Sequence, residues 1–164
     1  MKKVFLIGGD YALVDDEDFD LVSQCRWTKA KYPRSENYLA LQSSGWVRGR
    51  RAGWKMHRLI LDAQPGQIVD HRNRNGLDNR RENLRFVTMA QNNYNRVMAN
   101  KTGFKGVYRN LDNSIYQYRV IVCANKQQYY LGRFKTAIEA AQAYDREALR
   151  LQGEFATLNF PNKE

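Results

Sequence analysis

One stretch of this 164-residue chain limits its fold more than any other: residues 136–151, closed by Gly153. Thr136-Ala137-Ile138-Glu139 spells a capping box, in which Thr and Glu satisfy each other's free backbone donors. Ile138, Ala141, Tyr144, Ala148 and Leu151 recur at helical spacing, giving one apolar face, and the alanines allow close approach to a sheet. Three strand-like runs precede this helix, at 105–109, 116–123 and 128–134, with turn residues at 111–114 and 124–126 between them. A three-stranded antiparallel sheet packed on one helix is a complete small domain, expected over residues 103–164. Strand alternation turns Val107, Val120 and Val122 to the helix and Lys105, Arg119, Gln128 and Tyr130 away from it. Tyr108, Arg109 and Arg133 then fall at the sheet's margin.

The upstream half has a different texture. Short apolar runs at 4–7, 11–14 and 38–41 alternate with turns, and the acidic stretch 15–18 suits a helix start. Basic residues gather at 29–34 and 48–51, which read as loops near phosphate. Residues 68–71 and 84–87 read as strands flanking a loop at 72–83 crowded with Asn, Asp, Arg and Gly, and Thr88 is a plausible N-cap for a following helix. The whole is predicted as α+β: a domain at 1–98 with a β-rich leading segment, a linker at 99–102, then the sheet-plus-helix domain at 103–164.

Composition narrows the partner. Hydrophobic residues make up 43% and aromatic residues 12%, enough for packed cores. There are 27 Lys+Arg against 17 Asp+Glu, a formal net charge of +10. Such a surplus favours a polyanion, because cations that neutralise phosphates release condensed counterions. No long apolar run, lysine-rich amphipathic helix or export signal points to a membrane. Cys25 and Cys123 have no second Cys or His at metal-ligand spacing, so two reduced thiols in a cytoplasm are expected, not a zinc site.

The two histidines carry the chemistry to be weighed. Asp70-His71 ends an apolar run just before the polar loop. A carboxylate can hold a hard divalent cation, and an imidazole can take a proton from water near neutral pH. Taken alone, the pair reads more readily as a loop cap. Asn83, twelve positions on, and Asn92, twenty-one positions on, reverse that order. His57, inside an apolar segment, suits a supporting hydrogen bond better than catalysis.

His71, Asn83 and Asn92, with Val69-Asp70-His71, Asn79-Arg80-Arg81-Glu82-Asn83-Leu84-Arg85 and Gln91-Asn92-Asn93-Tyr94-Asn95-Arg96, resemble phage HNH homing endonucleases of the ββα-metal type. Met56-His57-Arg58-Leu59-Ile60, Ala12-Leu13-Val14-Asp15 and Trp27 fit the same resemblance. It implies a ββα-metal core at about 67–98. It also implies one cation, Mg²⁺ or Mn²⁺, on Asp70 and Asn92, with Asn93 as the rival amide. His71 would be the general base and Asn83 a structural pin for the loop. Arg72, Arg80 or Arg85 would clamp neighbouring phosphates. Oxygen-only ligation favours those ions over Zn²⁺.

Residues 103–160 resemble the Apetala-two / ethylene-response-factor DNA-binding domain, through Lys105-Gly106-Val107-Tyr108, Tyr130-Leu131-Gly132-Arg133-Phe134, Ala143-Tyr144-Asp145 and Leu158-Asn159-Phe160. That resemblance implies a sheet face lying in the major groove. Arg109 and Arg119 are the best candidates to read guanine and Gln128 to read adenine, whereas Ile121 and Cys123 stand where charge is expected.

The combined reading is a site-directed DNA endonuclease on double-stranded DNA, acting in a bacterial cytoplasm as phage or mobile-element homing enzymes do. The alternatives are a DNA-binding regulator with an inactive nuclease centre and an RNA-binding accessory factor. The intact Asp70, His71, Asn83 and Asn92 set weighs against the first. The second lacks the paired aromatics of an RNA-recognition sheet.

Overall fold

A computed structural model describes residues 1–31, 38–45, 49, 53–96, 100–112 and 115–161. The basic runs at 32–34, 48 and 50–51 lie outside the described residues. The chain is mixed α and β, with small antiparallel sheets, and divides into two compact units, Met1–Thr88 and Met89–Glu164. No described helix is long and apolar enough to cross a membrane.

The first unit opens with a hairpin of β1 (Lys2–Phe5) and β2 (Tyr11–Val14), then helix α1 (Phe19–Ser23). A second antiparallel pair follows, β3 (Cys25–Lys31) with β4 (Tyr38–Gly45), so Lys29 and Lys31 belong to a strand and not to a loop. Helix α2 (Met56–Ile60) covers the apolar segment that contains His57. Strands β5 (Ile68–His71) and β6 (Leu84–Val87) pair antiparallel, Asp70 opposite Arg85 and His71 opposite Leu84.

Trp27, Val14, Val22, Met56 and Leu59 are fully buried at the centre of this unit. The indole of Trp27 donates to Val22 O at 2.8 Å, so the largest core side chain brings no unpaired donor inside.

The leading hairpin also grips the loop at 72–83. Leu13 N donates to Leu77 O, and Asn79 N donates to Leu13 O, both at 2.8 Å. Arg81 makes a two-pronged pair with the buried Asp18 at 2.8 and 2.7 Å, and its backbone N–H donates to Asp15 Oδ2 at 2.7 Å. A fork that matches both carboxylate oxygens fixes orientation as well as charge. These bonds join residues more than sixty positions apart in sequence.

The second unit begins with the short helix α3 (Met89–Tyr94). Residues 89–98, expected with the first domain ahead of a linker at 99–102, fall in this unit. Here α3 makes its bonds with the sheet domain: Tyr94 Oη accepts from Asn125 N at 2.7 Å, and the Lys105 ammonium donates to Tyr94 O. The sheet runs β7 (Val107–Arg109), β8 (Tyr118–Ala124), β9 (Gln127–Phe134), all antiparallel. Strand β7 begins two residues later than expected because Gly106 sits at φ +72°, which breaks extended backbone. Asn125 and Lys126, at φ 51° and 64°, make the tight turn from β8 to β9.

Helix α4 (Ala137–Gln152) starts with both capping-box bonds, Glu139 N to Thr136 Oγ1 and Thr136 N to Glu139 Oε2. Its buried stripe runs through Ala140, Ala141, Tyr144 and Ala148 onto Val107, Val120 and Val122. Ile138 was expected on that stripe but is 56% exposed, because the buried face begins one turn further along.

Candidate active site

The end of β5, the loop at 72–83 and the start of β6 bring Asp70, His71, Arg72, Arg80, Asn83 and Arg85 onto one short piece of chain. Asn83 spans the neck of the loop. Its side-chain oxygen accepts from Asn73 N at 2.9 Å, its amide donates to Asp78 O at 2.7 Å, and its backbone carbonyl accepts from Arg72 N at 2.8 Å. Three bonds from one buried residue hold the loop's two ends at a fixed separation.

His71 is 6% exposed. Its Nε2 lies 3.3 Å from Asn79 Oδ1, and its ring meets His57 edge-on, centroids 4.8 Å apart at 74°. Burial pushes the His71 imidazole below its ordinary range, while Asn79, Asp70 and Asp78 oppose that shift less strongly. The ring is therefore neutral at physiological pH, and a neutral imidazole keeps one nitrogen able to accept a proton.

His57 does not make the supporting hydrogen bond expected of it. Its Nδ1 is buried with no hydrogen-bond partner among the described residues, and its ring packs against that of His71. Burial, then the charges of His71, Lys55 and Arg58, hold its pKa well below the ordinary 6.5.

Both rings bind protons more readily when unfolded, so unfolding takes up protons below about pH 6.5 and folding loses ground there. The denaturant midpoint of the metal-free protein, read by the fluorescence of Trp27, Trp46 and Trp54, should be level above pH 7 and fall as pH drops below 6.5. His57→Gln should flatten that slope; an unaltered slope would show that His57 is not its source.

Asp70 faces Arg85. Oδ2 accepts from Arg85 Nε at 3.2 Å and from Nη2 at 3.1 Å, and both side chains are almost buried. Mutual attraction offsets the desolvation of each. Arg80 is held by Asp78 through two bonds of 2.8 Å and also pairs with Glu82, so its charge organises the loop itself. The same contact keeps the Asp78 carboxyl below its usual range. Of the three arginines expected at phosphate, Arg72 is the exposed one.

Asn92 is half-buried on α3 and Asn93 is exposed, both in the second unit. Among the described residues no three His, Cys, Asp or Glu side chains form a metal-binding group. Asp70 offers a carboxylate oxygen. That chemistry fits a hard cation that keeps several waters, and it does not fit a thiolate or multi-histidine cage.

On the sheet of the second unit, Tyr108, Arg119 and Arg133 lie in one cross-strand row, Ile121 pairs with Tyr130, and Cys123 pairs with Gln128. By alternation this is the face turned away from α4. Arg133, expected at the margin, is on the edge strand β9 and donates to Asp112 at 2.6 Å. Arg109 shares the face of Val107 and Tyr118, the helix side, although its side chain is exposed. Lys105 precedes the sheet, and its ammonium holds the carbonyls of Tyr94 and Arg96.

Asn79 was not singled out by sequence reasoning, since four asparagines punctuate this loop and each reads as a turn residue. Asp18 was missed for a different reason: its partner Arg81 is distant in sequence.

Residues 55–94, which contain α2, β5, the loop, β6 and α3, match the family model described as HNH endonuclease. The chain is also 31% identical over 160 residues to an uncharacterized HNH endonuclease of Acanthamoeba polyphaga mimivirus, covering 94% of this chain and 76% of that protein. It belongs to the HNH endonuclease family, nucleases that hydrolyse DNA and generally use a divalent metal ion. No solved structure matches it.

Proposed function

We propose that this chain is a site-directed DNA endonuclease of the homing type, with His71 as general base, Asp70 and Asn92 as ligands for one Mg²⁺ or Mn²⁺, and the second unit as the DNA reader. The observation that carries the reading is the buried His71 beside Asp70 at the mouth of a loop pinned by Asn83. An uncharged imidazole there accepts a proton from water, whose oxygen attacks phosphorus as the 3′ oxygen departs. A bound divalent cation would supply charge stabilisation for the phosphate oxygen and the leaving oxygen. Arg72 supplies positive charge beside the neighbouring phosphate, and Asp70 with Arg85 keeps the strand end ordered.

The second unit supports a reading role through resemblance to Apetala-two / ethylene-response-factor domains and through its exposed row Tyr108, Arg119 and Arg133 with Tyr130 and Gln128 beside it. The likeness to the viral relative extends over 160 residues, so it includes this unit as well as the nuclease segment. Tethering a reader to a small cutter raises the cutter's effective concentration at one site without new contacts.

The test is incubation of supercoiled plasmid or phage genomic DNA with the protein and Mg²⁺, Mn²⁺ or Ca²⁺, beside an EDTA control. Nicking or linearisation with Mg²⁺ or Mn²⁺, absent in EDTA, is the expected result. Cleavage undiminished by EDTA would overturn the metal assignment. Binding with no cleavage under any ion, on DNA that contains the bound site, would favour the regulator reading.

A further inference from the structure

We propose that Asn79 is a positioning residue that fixes the tautomer of His71, holding the ring proton on Nε2 so that Nδ1 is the nitrogen that accepts a proton. This deepens the general-base reading above and rests on it for its catalytic meaning. The geometry starts from Asn79 itself, which is fully buried. Its backbone is pinned by the bond from Asn79 N to Leu13 O on β2. Its side-chain amide nitrogen points at Gly76 O, 3.4 Å away. A carbonyl only accepts, so the NH₂ edge belongs on that side and the oxygen edge faces His71 Nε2 at 3.3 Å.

An amide oxygen also only accepts, so Nε2 must be the donor, and in a neutral imidazole the other nitrogen is then the acceptor. The edge-on contact with His57 limits rotation of the ring. The opposite tautomer would set the Nε2 lone pair against the Asn79 oxygen inside a buried site, and a flipped ring would replace the N–H donor with a C–H. That arrangement is costly where water cannot intervene. Asn79 thus acts through His71 and does not touch the reacting atoms.

The chain has only two histidines, so ring-¹⁵N histidine labelling gives two spin systems, assigned with His57→Gln. In metal-free protein at about pH 8, above the ordinary histidine range, the ¹⁵N shifts and ring-carbon-proton correlations report the tautomer directly. We expect His71 to carry its proton on Nε2. Asn79→Leu, similar in size but without an acceptor, should give a mixture of tautomers. It should also lower kcat by roughly 10–100-fold with KM held, as loss of an orienting partner does elsewhere. Asn79→Asp restores an acceptor and should keep the Nε2 proton.

A proton on Nδ1 in the wild-type protein would overturn the proposal, whatever the variants do; so would an unchanged tautomer and unchanged kcat in Asn79→Leu. If Asn79→Leu does not fold, the wild-type and Asn79→Asp spectra still decide. Full cleavage by His71→Ala alongside the Nε2 tautomer would sink the general-base reading and leave the role of Asn79 in holding the ring intact. The two failures are therefore separable.

Discussion

His71→Ala should lower the cleavage rate by about 10²–10⁴-fold, the range for losing a positioned general base. Affinity for duplex DNA, measured without a metal that permits turnover, should stay essentially the same. The asymmetry follows from burial. With 6% of its surface exposed, His71 offers DNA almost no contact area, and DNA affinity is governed by cations that neutralise phosphates. His71→Gln separates chemistry from packing, since it keeps most of the volume against His57 and loses the imidazole. Both variants should give the same tryptophan emission as the wild type while failing to cut. Cleavage by His71→Ala at the wild-type rate would remove His71 as the base.

Gly106→Ala should be the most damaging single-methyl substitution in the second unit. At φ +72° an L-residue is strained by about 1–2 kcal/mol. The added carbon would also stand 2.0 and 2.1 Å from ring carbons of Tyr144 and 2.9 Å from Ile121 O. Tyr144 is 2% exposed in the middle of the α4 stripe, so its ring cannot swing into solvent, and overpacking adds about 1–3 kcal/mol. A loss of about 2–5 kcal/mol is a large part of a small domain's stability. Far-UV dichroism should show α4 melting at lower temperature. Fluorescence should change little, because Trp27, Trp46 and Trp54 all precede residue 89. Duplex affinity should fall with the sheet. Wild-type melting in Gly106→Ala would remove the steric argument, and a destabilised second unit with wild-type duplex affinity under conditions where that unit is melted would remove the reading role of this face.

Features set by neighbours in sequence were the legible ones. The capping box at Thr136 and Glu139 needs only a three-residue spacing, and the burial of Val107, Val120 and Val122 follows from strand alternation. Asp70, His71, Asn83 and Asn92 were nameable because a family spacing singles them out. Features set by distant partners were not legible. Nothing near Arg81 in sequence says that Asp18, sixty-three positions away, takes its guanidinium. Lys105 alternates outward on paper, yet the left-handed turn at Gly106 takes it out of the strand and toward the end of α3. His57 suits a supporting hydrogen bond on its sequence, and in the fold its ring meets that of His71 edge to face. In each case local pattern supplied the residue type, and tertiary packing decided its partner.

The stitching of the loop to β2 sets the smallest piece that can work as a scissor. The family match begins at residue 55, yet the loop it contains is tied to Leu13, Asp15 and Asp18. A graft of residues 55–94 onto another DNA-binding scaffold would leave behind the backbone bond that seats Asn79, and with it the seat of the His71 ring. A transplantable cassette for this nuclease has to carry the leading hairpin, and shuffling of its parts between proteins would have had to move both segments together.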